Sequence, residues 1–137
     1  IMINKLLGKS NDWIYLIFRL LVGFMFMAHG GQKLFGWFIA IDASQIGISE
    51  LLFNTAGIIE FFGGLAIFLG LFTRLIALIT ALEMIIAYII VHLPNHILPL
   101  LNGGEPAALF FASFLILLIY GSGRISLDKA LFKKEIF

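Results

Sequence analysis

The chain contains no cysteine, which excludes disulfides, CxxC redox chemistry, persulfide carriage and thiolate metal sites within it. Any sulfur or electron chemistry has to come from another subunit or a bound cofactor. Charge is scarce as well: Asp, Glu, Lys and Arg make up 12% of the 137 residues, against 61% hydrophobic, and mean hydropathy is +1.08. Such a composition leaves too little polar surface to clothe a soluble core, so the class it implies is an integral membrane protein. A net charge of +1 shows no strong basic or acidic excess, and so argues neither for nucleic acid nor for an acidic partner.

Because charge is scarce, the charges inside apolar runs are informative. Residues 14–38 read IYLIFRLLVGFMFMAHGGQKLFGWF, a membrane-length run that still carries Arg19, His29 and Lys33. A charge there costs about 2.5–3.5 kcal/mol on insertion scales, so each needs a partner or a function. At 100° per residue, Arg19, Gly23, Phe26, Gly30 and Lys33 fall within roughly 40° of one line down a helix. Glycines on that line let a neighbouring helix come close. Lys5 and Lys9 ahead of an apolar run resemble a signal peptide, but Arg19 interrupts it and Phe26-Met27-Ala28 offers no small-x-small cleavage site. The segment is therefore expected to be retained.

The apolar runs and their breaks predict an all-α fold: an integral membrane four-helix transmembrane bundle in one domain, residues 1–137. The helices are expected at about 13–36, 52–72, 75–93 and 106–120, with a basic tail over 121–137. Helix two carries Gly57, Glu60 and Gly64 on one side, a second stripe of glycine and charge. Helix three buries Glu83 and ends at Pro94, which cannot continue the backbone ladder. Residues 39–49 suit an interfacial loop or short amphipathic helix. An even number of spans puts both termini on one side. Lys5, Lys9, Arg74, Arg124, Lys129, Lys133 and Lys134 collect there, against Lys33 alone opposite, so N- and C-terminus are expected in the cytoplasm and the protein in the cytoplasmic (inner) membrane.

Four stretches carry a resemblance: RLLVGFMFMAHGGQKLFG over 19–36, EFFGGLAIFLGLFTR over 60–74, Gly104-Glu105, and GSGRISLD over 121–128. Together they resemble the DoxX family of small four-helix membrane proteins, and the likeness covers nearly the whole chain. Members are similar to the membrane subunits of thiosulfate:quinone oxidoreductases and occur in membrane oxidoreductase assemblies. The resemblance implies importance for Arg19, Gly23, His29, Gly30, Lys33, Glu60, Gly63, Gly64, Arg74, Glu105, Arg124 and Asp128. It also implies a partner redox protein beside the lipid bilayer, and leaves homo-oligomerisation open.

His29, Lys33, Glu60 and Glu105 come from three helices and are expected together in the outer half of the bundle as a ligand-binding site. A quinone needs an apolar slot, donors to its carbonyls and a proton source on reduction; His and Lys can donate and Glu can relay. The expected function is a membrane subunit of a quinone-linked oxidoreductase, with catalytic residues unassigned. The alternatives are a non-enzymatic membrane scaffold and a small-molecule or proton permease. His92 and His96 have the i, i+4 spacing of a metal or haem site, but Pro94 between them breaks the helix, so haem and metal are not expected. Helix rise selects a partner for Arg19. Counted from the cytoplasmic ends, Arg19 lies about 9 Å deep, Glu83 about 12 Å and Glu60 about 18 Å. Depth favours a structural Arg19–Glu83 pair, and the lean of side chains toward helix N-termini carries Glu60 toward Lys33 or His29.

Overall fold

The structure, a computed structural model, describes the backbone of residues 2–137 and the side chains of residues 10–137. The side chains of Lys5 and Lys9, which enter the charge asymmetry, lie outside the described residues. Among the described residues the fold is helical, with no strand. In chain order it comprises α1 (Met2–Phe35), α2 (Ala43–Ile46), α3 (Glu50–Leu69), α4 (Thr73–Ala87, continued by a π-helical turn over Tyr88–His92), α5 (Pro99–Asn102), α6 (Glu105–Tyr120) and α7 (Leu127–Phe132).

Among the described residues, three segments are long and apolar enough to cross a membrane: Ser10–Phe35, Glu50–Leu69 and Thr73–His92. The fourth apolar helix, α6, is shorter at 16 residues. Helix α1 begins well before the expected Trp13, and its 34 residues make about 51 Å, far more than a hydrocarbon core of about 30 Å needs. Local chemistry explains the other ends. The Ser49 hydroxyl accepts from the Leu52 N–H (3.3 Å) to start α3, and Gly70, at φ 73°, stops it three residues before α4 begins. At the far end of α4 the Leu93 N–H donates to the Tyr88 carbonyl (2.8 Å), the five-residue spacing of a π-turn, and Pro94 follows.

The helices pack as two close pairs, α1 along α3 and α4 along α6. The first pair is held by the two glycine stripes. A Cβ on Gly23 would sit 2.5 Å from the Phe68 nitrogen, and one on Gly64 would run into the backbone of Met27, so these helices meet backbone to backbone. Between the pairs, Phe26 of α1 packs edge-on against Phe114 of α6 (4.7 Å between centroids), over Ile67, Ala77, Ala81 and Leu117.

At one end the C-terminal segment folds back and closes the assembly. Asp128, fully buried, accepts the Phe72 N–H on both carboxylate oxygens (3.2 and 3.1 Å), and Glu135 takes the Ser122 N–H (2.8 Å) and faces Arg74 (3.4 Å). Into this end reaches Arg19, 2% exposed. The expected Arg19–Glu83 pair is not formed. One guanidinium nitrogen donates to the carbonyls of Ser122 and Ile125 (2.6 Å to the latter), the other to that of Phe68 (3.4 Å). Depth along the axis had pointed to Glu83, but the partners are main-chain oxygens of α3 and of the folded-back tail, which no residue type announces.

Candidate functional site

Fourteen residues beyond Arg19 on the same helix, Lys33 reaches the opposite end, where its ammonium donates to Glu60 Oε2 at 2.6 Å. The sequence expected this contact, and helix geometry supplies it. Gly57 on α3 leaves the room, since a Cβ there would stand 3.0 Å from the Lys33 Cβ. Both partners are largely buried, with side-chain exposures of 11% and 8%. A charge pair this far from water needs a surrounding that justifies it.

That surrounding is a cavity of about 630 Å³ between the helix pairs. Its polar lining consists of His29, Lys33, Glu60, Glu83, His92 and Thr55. The remaining walls are aliphatic and aromatic, drawn from α3, α4, α6 and the segment around α2. Leu52, Ile79, Leu82, Ile86 and Ile90 line it while remaining exposed on the helix surfaces, so the rim between α3 and α4 is apolar and faces outward. The volume and the few convergent polar groups match a small-molecule site.

The α2 segment contributes Ile41, Ile46 and Ile48 to one wall, and its shape is set by a capping box: Asp42 accepts from the Ser44 hydroxyl (2.5 Å) and the Gln45 N–H (3.1 Å). Those two bonds, the hydroxyl first, hold the Asp42 carboxyl below its usual range. At the mouth, Asn102 is a hub, 8% exposed. Its amide donates to the Tyr88 hydroxyl (3.0 Å) and the His96 carbonyl (2.6 Å), while its side-chain oxygen accepts the Gly104 N–H (2.7 Å). Tyr88 in turn donates to the Ile97 carbonyl (2.7 Å), so the loop between α4 and α6 is pinned beside the cavity.

Of the four residues expected to converge, three do: His29, which meets Phe110 edge-on at 5.6 Å, with Lys33 and Glu60. Glu105 does not. It is the first residue of α6 and exposed, while the next two residues, Pro106 and Ala107, face the cavity in its place. Glu83 moves the other way, from supposed partner of Arg19 to a wall of the site, within the electrostatic reach of Glu60 and Lys33. Sequence reasoning also left His92 outside the site, although its place at the end of α4 was legible. His92 and His96 do not share a ligand direction: His92 Nδ1 meets the Asn102 carbonyl (3.1 Å) and His96 Nδ1 accepts the Leu98 N–H (3.0 Å). Asn102 and Tyr88 carried no signal beyond being polar groups next to an apolar run.

Comparison with known proteins agrees with this architecture. Residues 14–93 match the family described as DoxX, a stretch that contains Arg19, Lys33, Glu60 and Glu83. The chain is similar to an uncharacterized protein of Haemophilus influenzae, 34% identical over 131 residues, covering 93% of this chain and 98% of the relative. It is also similar to a Bacillus subtilis protein named "Putative oxidoreductase CatD", 30% identical over 128 residues, covering 93% of each. No solved structure matches it. With the family match spanning the α1–α3 stripe and the whole of α4, and with relatives 34% and 30% identical over 93% of the chain, this helical membrane protein belongs to the DoxX family.

Proposed function

We propose that the protein is the quinone-handling membrane subunit of an oxidoreductase assembly, and that the cavity holding the Lys33–Glu60 pair is its quinone site. The observation that carries this reading is a buried 2.6 Å ion pair set in the wall of a mainly apolar cavity of about 630 Å³ whose rim faces the lipid side between α3 and α4. A quinone dissolves in the bilayer, so it would enter through that rim. Its ring would lie among Phe26, Phe110 and the aliphatic wall, and a carbonyl would take a hydrogen bond from Lys33 or His29. The cavity supplies binding and proton-exchanging groups, and the quinone supplies the redox chemistry. With no cysteine in the chain, electrons would arrive from a partner redox protein.

The name of the B. subtilis relative agrees with an oxidoreductase role. A permease would need a path through both ends, and the end at Arg19 is filled by residues 122–128. In this reading α6 spans the cytoplasmic membrane with the other three helices, and both termini are cytoplasmic, as the basic asymmetry argues. A cytoplasm-dependent reporter should be active when fused after Phe137, and an export-dependent one when placed in residues 42–48. The reversed pattern puts the cavity at the inner face.

The direct test of the site is mass spectrometry of lipid extracted with the purified protein, together with quinone titration. Stoichiometric quinone, lost on Lys33→Met with Glu60→Gln, is the expected result. A protein that neither carries nor binds quinone refutes the reading.

A further inference from the structure

The cavity contains one carboxyl group that the ion pair does not use. Both oxygens of Glu83 are buried, and neither has a hydrogen-bond partner among the described residues. The charged and titratable groups around it can be named element by element: His29 and Lys33 on α1, Glu60 on α3, and His92 at the end of α4. The facing positions of α6 are Pro106, Ala107 and Phe110, and the α2 segment contributes only isoleucines, so neither wall offers a polar side chain. The nearby hydroxyls are spent. Thr55 donates to the Leu51 carbonyl (2.7 Å), and Thr80, one turn before Glu83, donates to that of Ile76 (2.8 Å).

Charge accounting then fixes the form of Glu83. Lys33, held to Glu60 at 2.6 Å, balances one carboxylate. A second cation at His29, one turn from Lys33, would be repelled by it, and His92 stands nine residues beyond Glu83, roughly 13 Å along the helix. An ionised Glu83 would thus be a second buried anion beside Glu60, with no donor and no cation of its own. The neutral acid avoids that cost, and it carries an O–H that has no acceptor within the protein. A carboxylic acid kept neutral by an apolar site is an effective donor to a ligand oxygen. A carbonyl oxygen has two lone pairs and no hydrogen, so it can accept from Glu83 and, at the same time, from an N–H of Lys33 that Glu60 leaves free.

We infer that Glu83 is a neutral carboxylic acid that donates a hydrogen bond to a carbonyl oxygen of the bound quinone, sharing that oxygen with Lys33. The inference rests on the quinone reading above. The test uses the full-length protein in nanodiscs, titrated with decylubiquinone. Glu83→Gln, whose amide still donates, should bind within about threefold of the wild type, whereas Glu83→Leu, which cannot donate, should bind more than about threefold more weakly. Difference infrared spectra, with minus without decylubiquinone, supply a readout that cavity shape alone would not move. The wild type should show the C=O stretch of a protonated carboxyl shifting to lower frequency, and Glu83→Gln should lack that feature. A Glu83→Leu affinity within about threefold of the wild type, or a loss in Glu83→Gln as large as in Glu83→Leu, overturns the role of Glu83 and leaves the quinone site standing. So does a wild-type spectrum without the carboxyl shift, or a shift that survives in Glu83→Gln. If the wild type does not bind decylubiquinone, both the inference and the reading beneath it fall.

Discussion

Arg19 and Lys33 lie on one stripe of one helix, about 21 Å apart, and the protein treats them in opposite ways. Arg19 is surrounded by carbonyls of residues 68, 122 and 125, in a close-packed end where the tail has folded over it. Lys33 meets a single carboxylate beside open space, with a second carboxyl group nearby that has no donor. A cation whose two terminal nitrogens are both bound to main-chain carbonyls in a closed end can only hold the fold, since a ligand would have to displace that backbone. A cation that keeps free donors in a cavity can exchange partners. The intramembrane charges of this chain thus separate into a latch and a site, and the separation rests on hydrogen-bond accounting rather than on residue type.

The largest effect should come from breaking the latch. Arg19→Met strands buried carbonyls and loosens the tail, and should cost about 3–5 kcal/mol in unfolding experiments in detergent. Adding Glu83→Gln should not restore that loss; a rescue would reinstate Glu83 as the Arg19 partner and collapse the distinction between the two ends.

The site pair should respond differently. Lys33→Met leaves Glu60 buried without its cation and should destabilise by about 3 kcal/mol, whereas Lys33→Met with Glu60→Gln should recover to within about 1 kcal/mol of the wild type while ligand binding stays lost. If the double variant is as unstable as the single one, the pair is structural in the same sense as Arg19.

Gly64→Leu tests the seam that serves both ends. Pushing the α3 backbone off Met27 should cost about 1–3 kcal/mol and weaken ligand binding as well, because Gly64 lies one turn from Glu60. Unchanged stability would mean that α1 and α3 do not approach so closely. The smallest effect is expected at Glu105→Gln, within about 0.5 kcal/mol in stability and with no change in binding, given its exposure at the start of α6. A binding defect there would bring Glu105 back into the site.

The Lys33–Glu60 contact was legible because both residues sit on long helices whose period and side-chain lean are set by backbone geometry. The glycine stripes were legible for the same reason: regular spacing survives folding. Arg19 was misassigned because its acceptors are peptide carbonyls, present at every residue and therefore invisible in a list of side chains. Glu105 was misassigned because a residue in the first turn of a helix takes its direction from the preceding loop. That loop is set by Asn102, Tyr88 and the π-turn, none of which has a distinctive pattern.

Composition and period, which are properties of the chain taken a few residues at a time, determined that this protein is helical and membrane-embedded, where its apolar runs lie, and that two glycine-lined faces would meet. Local spacing also determined that Lys33 and Glu60 would be in reach of each other. Tertiary structure decided what those elements enclose: that the tail returns to occupy Arg19, that Glu83 turns into the cavity rather than toward Arg19, and that the space between the helix pairs is left open to one side. Those outcomes depend on the rotation of each helix about its own axis and on contacts between residues up to about a hundred positions apart, such as Arg19 with Ser122. Packing sets both, and no local pattern encodes them.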